Sequence, residues 1–192
     1  MSARTSIVRP ADVLDGYVRV LARAGYAATT PELVALELGT TPDEVRAAFD
    51  ERDLLPAIAA HIRDAYGRAI RAAIDARPPD KRLDALLDLV MLETEPFASD
   101  GVAAAVSELA AAATRNLGAA QALREIYAEF ELMTDMELAA MVPDADPVAR
   151  RQVAFTIMAL AYCAPDFATM GFPDDRLRAL RAAVARLIDT LR

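Results

Sequence analysis

Few residues in this sequence have the types and spacing for covalent chemistry. His61 is the only histidine, set between Ile58 and Ile62, with no second histidine or cysteine at metal-ligand spacing and no serine triad in view. Cys163 is the only cysteine, so it closes no disulfide within the chain and completes no zinc site; a small buried hydrophobe is the expectation. His61 keeps one chemical use, a pH response near its unperturbed pKa of ~6.5 if it lines a pocket. Glu125 and Glu129 offer carboxylates on one helical stretch, for which a solvated face is the simpler account. No catalytic residue, metal or cofactor is assigned on these grounds. An enzyme using Glu125, Glu129 or His61 as acid or base stays open as the least supported class.

Binding chemistry is better represented. Thr30-Pro31-Glu32 and Thr41-Pro42-Asp43-Glu44 each place a threonine before a proline, with acids following. Threonine accepts an orphan N–H at a helix start, and proline suits the first helical position because it has no N–H to lose. Thr41 and Glu44 also have capping-box spacing. Leu33, Val34 and Leu38 form the inner face of one short helix, and Val45 and Phe49 that of the next. Two helices joined through a turn containing Gly39 make a helix-turn-helix, whose second helix can lie in a DNA major groove. Thr30 and Thr41, at helix starts, are candidates to hold phosphate. Six arginines face nine carboxylates over the first 55 residues, and the whole chain carries −8. A nucleic-acid-binding face usually leaves a basic footprint, and this one is thin.

Gly25-Tyr26-Ala27-Ala28-Thr29-Thr30, then Gly39-Thr40-Thr41, then Phe49 and Asp53-Leu54-Leu55 resemble the N-terminal domain of the tetracycline-repressor-like (TetR) regulators. The spacing matches from Val13 to Leu55 without a gap. The resemblance implies an all-α chain: a three-helix DNA-binding-type domain over residues 1–51 and a larger helical ligand-binding and dimerisation domain over 52–192. It also implies a regulator, usually a repressor, that a small apolar or amphipathic molecule releases from operator DNA. Members of that family commonly have tyrosine where this chain has Arg46, histidine or a similar polar residue at Ala48, and lysine at Arg52. Arg46 and Arg52 therefore join Thr30 and Thr41 as candidate DNA contacts, with Arg4 and Arg9 of the N-terminal arm adding non-specific attraction. The acids Asp43 and Glu44 in the recognition turn keep a second reading open, a protein of this fold that acts through a ligand or partner without DNA.

The elements that position these residues are read from apolar periodicity. A first helix over about 11–24 carries Val13, Leu14, Tyr17, Val20 and Leu21 on one face, with Gly25 as its left-handed stop and Gly16 marking close packing. A long helix follows over about 52–77, on whose inner face Ile58, Ile62, Tyr66, Ile70 and Ile74 recur every three to four residues. Asp80 caps the next helix, which ends at Pro96; an alanine-rich helix follows over 102–113 and another over 119–142. A penultimate helix over about 147–164, broken before Pro165, is apolar nearly all round and so expected to be buried on more than one side. Met91, Phe97, Phe130, Met133, Phe155, Met158 and Tyr162 give an adaptable apolar wall to a ligand cavity among the middle helices, where Tyr127, Tyr162 and Thr134 could orient a molecule. In the final helix Leu177, Leu180, Val184, Leu187 and Leu191 recur three and four apart, a narrow seam expected to build a homodimer.

Composition agrees with this class. Apolar residues make up 55% of 192, with no tryptophan and seven glycines. No run of 18 apolar residues is present and the first residues lack an apolar signal core, so a cytoplasmic protein with no membrane span is expected.

Overall fold

The structure is a computed structural model that describes residues 9–91, 101–171 and 173–192, without the side chains of Glu51, residues 164–169, Asp174 and Leu177. Phe97, Arg4 and the side chain of Leu177 lie outside the described residues. The described residues form an all-α chain with no strand: α1 (Pro10–Ala24), α2 (Pro31–Leu38), α3 (Pro42–Ala48), α4 (Glu51–Asp75), α5 (Arg82–Met91), α6 (Val102–Ala113), α7 (Leu117–Met141), α8 (Pro147–Thr169) and α9 (Asp174–Asp189). Single 3-10 turns stand at Tyr26–Ala28 and Pro79–Lys81. None of the described helices is long and apolar enough to cross a membrane.

Two compact units emerge from packing. The first holds residues 1–65 and 97–126, the second 66–96 and 127–192. α4 and α7 therefore each contribute to both.

In the first unit α1 packs on α2, α3 and α6. Val13, Val20, Leu21, Val34, Val45, Ile62 and Leu109 are almost wholly buried there. Gly16 is a point of close approach: a Cβ at that position would lie 3.0 Å from Leu38 Cγ and 3.1 Å from Val34 Cγ1. Gly25 does turn with positive φ (83°), but its ψ of 164° is extended, not left-handed helical. The 3-10 turn after it is tied to two later helices. Tyr26 N–H donates to the Glu108 carboxylate at 3.3 Å, and Asn116 donates its amide to the Tyr26 hydroxyl at 3.0 Å. The Asn116 side-chain oxygen in turn accepts from Ala119 N–H, capping the start of α7.

In the second unit α9 packs on α8 and α5, and α5 on α8. Ile70, Leu86, Leu87, Leu138, Ile157 and Val184 are fully enclosed. Arg181 bridges α9 to α5 through Asp84 (2.7 Å) and Asp88 (2.9 Å), and Arg150 bridges α8 to α7 through Asp135 (2.7 Å).

Two expectations about α8 fail. The helix continues through Pro165 to Thr169, which a proline permits at the loss of one backbone bond where neighbouring turns hold the path. α8 is buried on more than one side, against α5 and α9, yet one side stays open: Val148, Gln152, Phe155, Thr156, Ala159 and Cys163 are exposed. Positions 148, 152, 155, 159 and 163 repeat every three to four residues, one stripe that packing within the chain leaves uncovered. Cys163 sits on that stripe and is exposed, contrary to its expected burial. Apolar composition alone cannot tell a face covered within the chain from one left open.

Candidate nucleic-acid interface and ligand-binding residues

The helix-turn-helix is built by its caps. Thr30 accepts from Leu33 N–H at 3.4 Å with Pro31 opening α2, and Gly39 closes that helix in the left-handed region (φ 65°, ψ 34°). Thr41 starts α3 with a complete capping box: its hydroxyl accepts from Glu44 N–H at 3.3 Å, and the Glu44 carboxylate accepts from Thr41 N–H at 3.0 Å. The Thr40 and Thr41 hydroxyls also donate to Glu44. These bonds, Thr40's first, hold the Glu44 carboxyl below the usual carboxylate range. Both groups of Thr41 that would meet a phosphate are thus engaged by Glu44.

All but one of the described arginines of this region are engaged too. Arg46, half exposed on α3, pairs with Asp43 at 3.1 Å and with Glu32 of α2. A backbone N–H, the Thr30 hydroxyl and Arg46 hold Glu32 below its ordinary range. Arg19 and Arg23 of α1 both reach Glu37 at 3.0 Å, and Arg9 reaches Asp12 at 2.7 Å. Arg52, exposed in the first turn of α4, has no ion-pair partner among the described residues.

The residues expected to line a cavity divide. Met91, Phe130, Met133, Met158 and Thr134 are buried in the second unit. Tyr127 and Tyr162 meet at a tilt of 45° with ring centres 4.1 Å apart, and Phe130 meets Tyr162 edge-on at 5.8 Å. Tyr66, which sequence periodicity places only on the inner face of α4, joins this group: burial, then the nearby Tyr127, pushes its phenol well above the ordinary value. Tyr162 is raised in the same way by burial, then by Tyr66 and Tyr127. The Tyr66 and Tyr162 phenols are therefore neutral near pH 7 and can serve as hydrogen-bonding groups. Two members depart from expectation. Phe155 stands 55% exposed on the outer stripe of α8. The Thr134 hydroxyl donates to its own helix, at the Phe130 carbonyl 2.9 Å away, as a buried threonine in a helix often does.

The acid–base candidates do not converge. His61 Nε2 lies 2.7 Å from Asp15, Glu125 accepts from the Gln121 amide at 2.9 Å, and Glu129 faces Arg71 at 3.7 Å. No group of three or more metal-ligating side chains occurs among the described residues. Along the seam of α9, Val184 is enclosed within the chain, beside Ile188, while Leu180, Leu187 and Leu191 are half-buried.

No protein-family model and no curated protein matches the sequence. Solved structures do. A TetR transcription regulator from Haloarcula marismortui superposes with a TM-score of 0.72 at 20% identity, over 95% of this chain and 97% of that one. The chain has the TetR fold. A transcriptional regulator from Rhodococcus sp. follows at TM-score 0.71 and 17% identity, over 96% of each chain. The multidrug-binding protein EbrR, solved with imidazole, aligns at 0.65 and 21%, over 94% of each. The TetR fold carries an N-terminal helix-turn-helix and a C-terminal helical domain, which is the order found here from α1–α3 onward.

Proposed function

We propose that this protein is a TetR-like transcriptional regulator, a repressor that a small apolar or amphipathic ligand releases from operator DNA. The observation that carries the reading is the helix-turn-helix itself: α2 and α3, each capped by threonine and opened by proline, with the left-handed Gly39 between them. Its contacts would come from Thr30, Thr41, Arg46 and Arg52. The division between a DNA-binding and a ligand-binding domain would fall at residues 51 and 52, in the first turn of α4. The effector would enter among Met91, Tyr127, Phe130, Met133, Thr134, Met158 and Tyr162, with Phe155 the weakest member because of its exposure. A homodimer would cover the open stripe of α8 together with the half-buried edge of Leu180, Leu187 and Leu191. An operator spans two half-sites, so a ligand that changes their separation weakens binding without touching α3.

One observation favours a second reading, a ligand- or partner-binding protein without DNA affinity. Arg46 is held by Glu32 and Asp43, and the capping box sets further carboxylate beside it. Selection of random duplexes at low salt decides between the two. An enriched sequence with inverted half-sites is the expected result. No enrichment by a folded dimer would overturn the repressor reading.

A further inference from the structure

We propose that the first compact unit holds a small-molecule site of its own, and that its ligand is an amphipathic organic cation. A cleft of about 930 Å3 opens within that unit. Its size falls in the range of sites for drug-sized ligands. Leu54, Leu55 and Ile58 of α4 and Leu109 of α6 supply its apolar wall. Tyr17 of α1, Tyr26 of the 3-10 turn and Phe49 after α3 also line it, and aromatic faces attract organic cations through their quadrupoles.

The charges decide the sign of the ligand. Arg46, Arg52, Asp50 and Glu125 all line the cleft. Arg46 is neutralised from outside the lining by Glu32 and Asp43. That leaves one arginine against two carboxylates, an excess of one negative charge beside an apolar and aromatic wall. Gln121, another lining residue, donates its amide to Glu125 at 2.9 Å and so orients that carboxylate. A bound molecule would touch the 3-10 turn, α4 and α7 together. Occupancy would therefore brace the helix-turn-helix against the helices that Glu108 and Asn116 already tie to Tyr26.

The test needs no DNA, so its outcome is separate from that of the regulator reading. Fluorescence anisotropy of rhodamine 6G, an amphipathic monocation, is titrated with the full chain, and fluorescein serves as the anionic control. Saturable binding of rhodamine 6G is expected, with fluorescein at least roughly tenfold weaker. The double variant Asp50→Asn, Glu125→Gln should weaken it roughly tenfold, in line with loss of two partly screened charge pairs. Asparagine preserves helix-starting ability at position 50, and both sites are exposed, so the fold should persist by circular dichroism. The double variant Asp75→Asn, Asp144→Asn, at exposed carboxylates of the second unit, should leave the affinity unchanged. Absence of saturable binding, equal affinity for the anion, an unaltered Asp50→Asn, Glu125→Gln variant, or equal weakening by Asp75→Asn, Asp144→Asn would each overturn the proposal.

Discussion

Gly16→Ala tests how tightly α1 clamps the first helix of the helix-turn-helix. A helix interior favours alanine over glycine by ~1 kcal/mol. The new Cβ, however, would sit 3.0 and 3.1 Å from Leu38 Cγ and Cδ1 and 3.1 Å from Val34 Cγ1. Carbon atoms rest at about 3.5–4.0 Å, so either α2 shifts by roughly half an ångström or side chains leave their rotamers. Val34 is fully buried and β-branched, which leaves it little freedom to turn away. Overpacking of this kind costs about 1–3 kcal/mol, which exceeds the propensity gain. A net loss of about 1 kcal/mol is expected, seen as a melting temperature lower by about 2–4 °C for a chain of this size. Urea unfolding followed by circular dichroism should give the same loss at an unchanged slope. Leu38→Ala removes two of the three close contacts, so in that background Gly16→Ala should become neutral or stabilising, a coupling of about 1 kcal/mol. Stabilisation by Gly16→Ala of equal size in both backgrounds would refute the close-packing account.

Four further outcomes are expected. Glu44, held below its ordinary pKa, stabilises the fold fully above the unfolded value near 4.5, and this contribution is lost as pH falls through the folded value; Glu44→Gln should flatten that part of an acid-stability profile measured by circular dichroism. Glu32→Gln should free Arg46 toward DNA, tighten any selected duplex several-fold, and steepen its salt slope by about one to two units per dimer in anisotropy titrations; an unchanged slope would place Arg46 off the phosphates. Leu187→Glu should convert dimer to monomer in sedimentation, since a seam leucine covered by a second subunit contributes roughly 1.5–3 kcal/mol, and a folded variant of unchanged mass would put the interface elsewhere. Hydrophobic ligands should raise the melting temperature by mass action; Phe130→Ala or Met158→Ala should abolish that shift, and its survival in both would make them core residues.

Local chemistry was more legible in the sequence than helix environment. The Thr-Pro-acid signals gave α2 and α3 their true starts because capping depends on residues three apart, and the structure forms both caps. Gly16 betrayed its close packing because a glycine inside a strong apolar pattern has few other uses. Environment is set by partners distant in sequence, and there the reading failed. Cys163 and Phe155 look like core residues from their neighbours yet lie on the open stripe of α8. Val184 looked available to a second subunit and is enclosed within its own chain. Tyr66 was legible as an inner residue of α4, but its approach to Tyr127 and Tyr162 comes from folding α7 and α8 beside it.

The acids around α3 link these local rules to function. A helix of seven residues has weak intrinsic stability, and its start here depends on Thr41 and the reciprocal carboxylate of Glu44. Asp43 adds favourable charge at the same N-terminus and also holds Arg46 at 3.1 Å. The residues that initiate α3 are therefore the ones that would repel a phosphate and that restrain its arginine. Helix stability and any affinity for DNA would pull in opposite directions at these positions. Asp43→Asn separates the two demands: asparagine removes the negative charge and the ion pair, while Thr41 and Glu44 remain to start the helix. A regulator should then bind its operator several-fold more tightly with α3 intact. A protein whose α3 never meets DNA should show only the small loss of helix stability expected from weakening the N-terminal charge. Anisotropy on a selected duplex, with circular dichroism on the same variant, tells these apart.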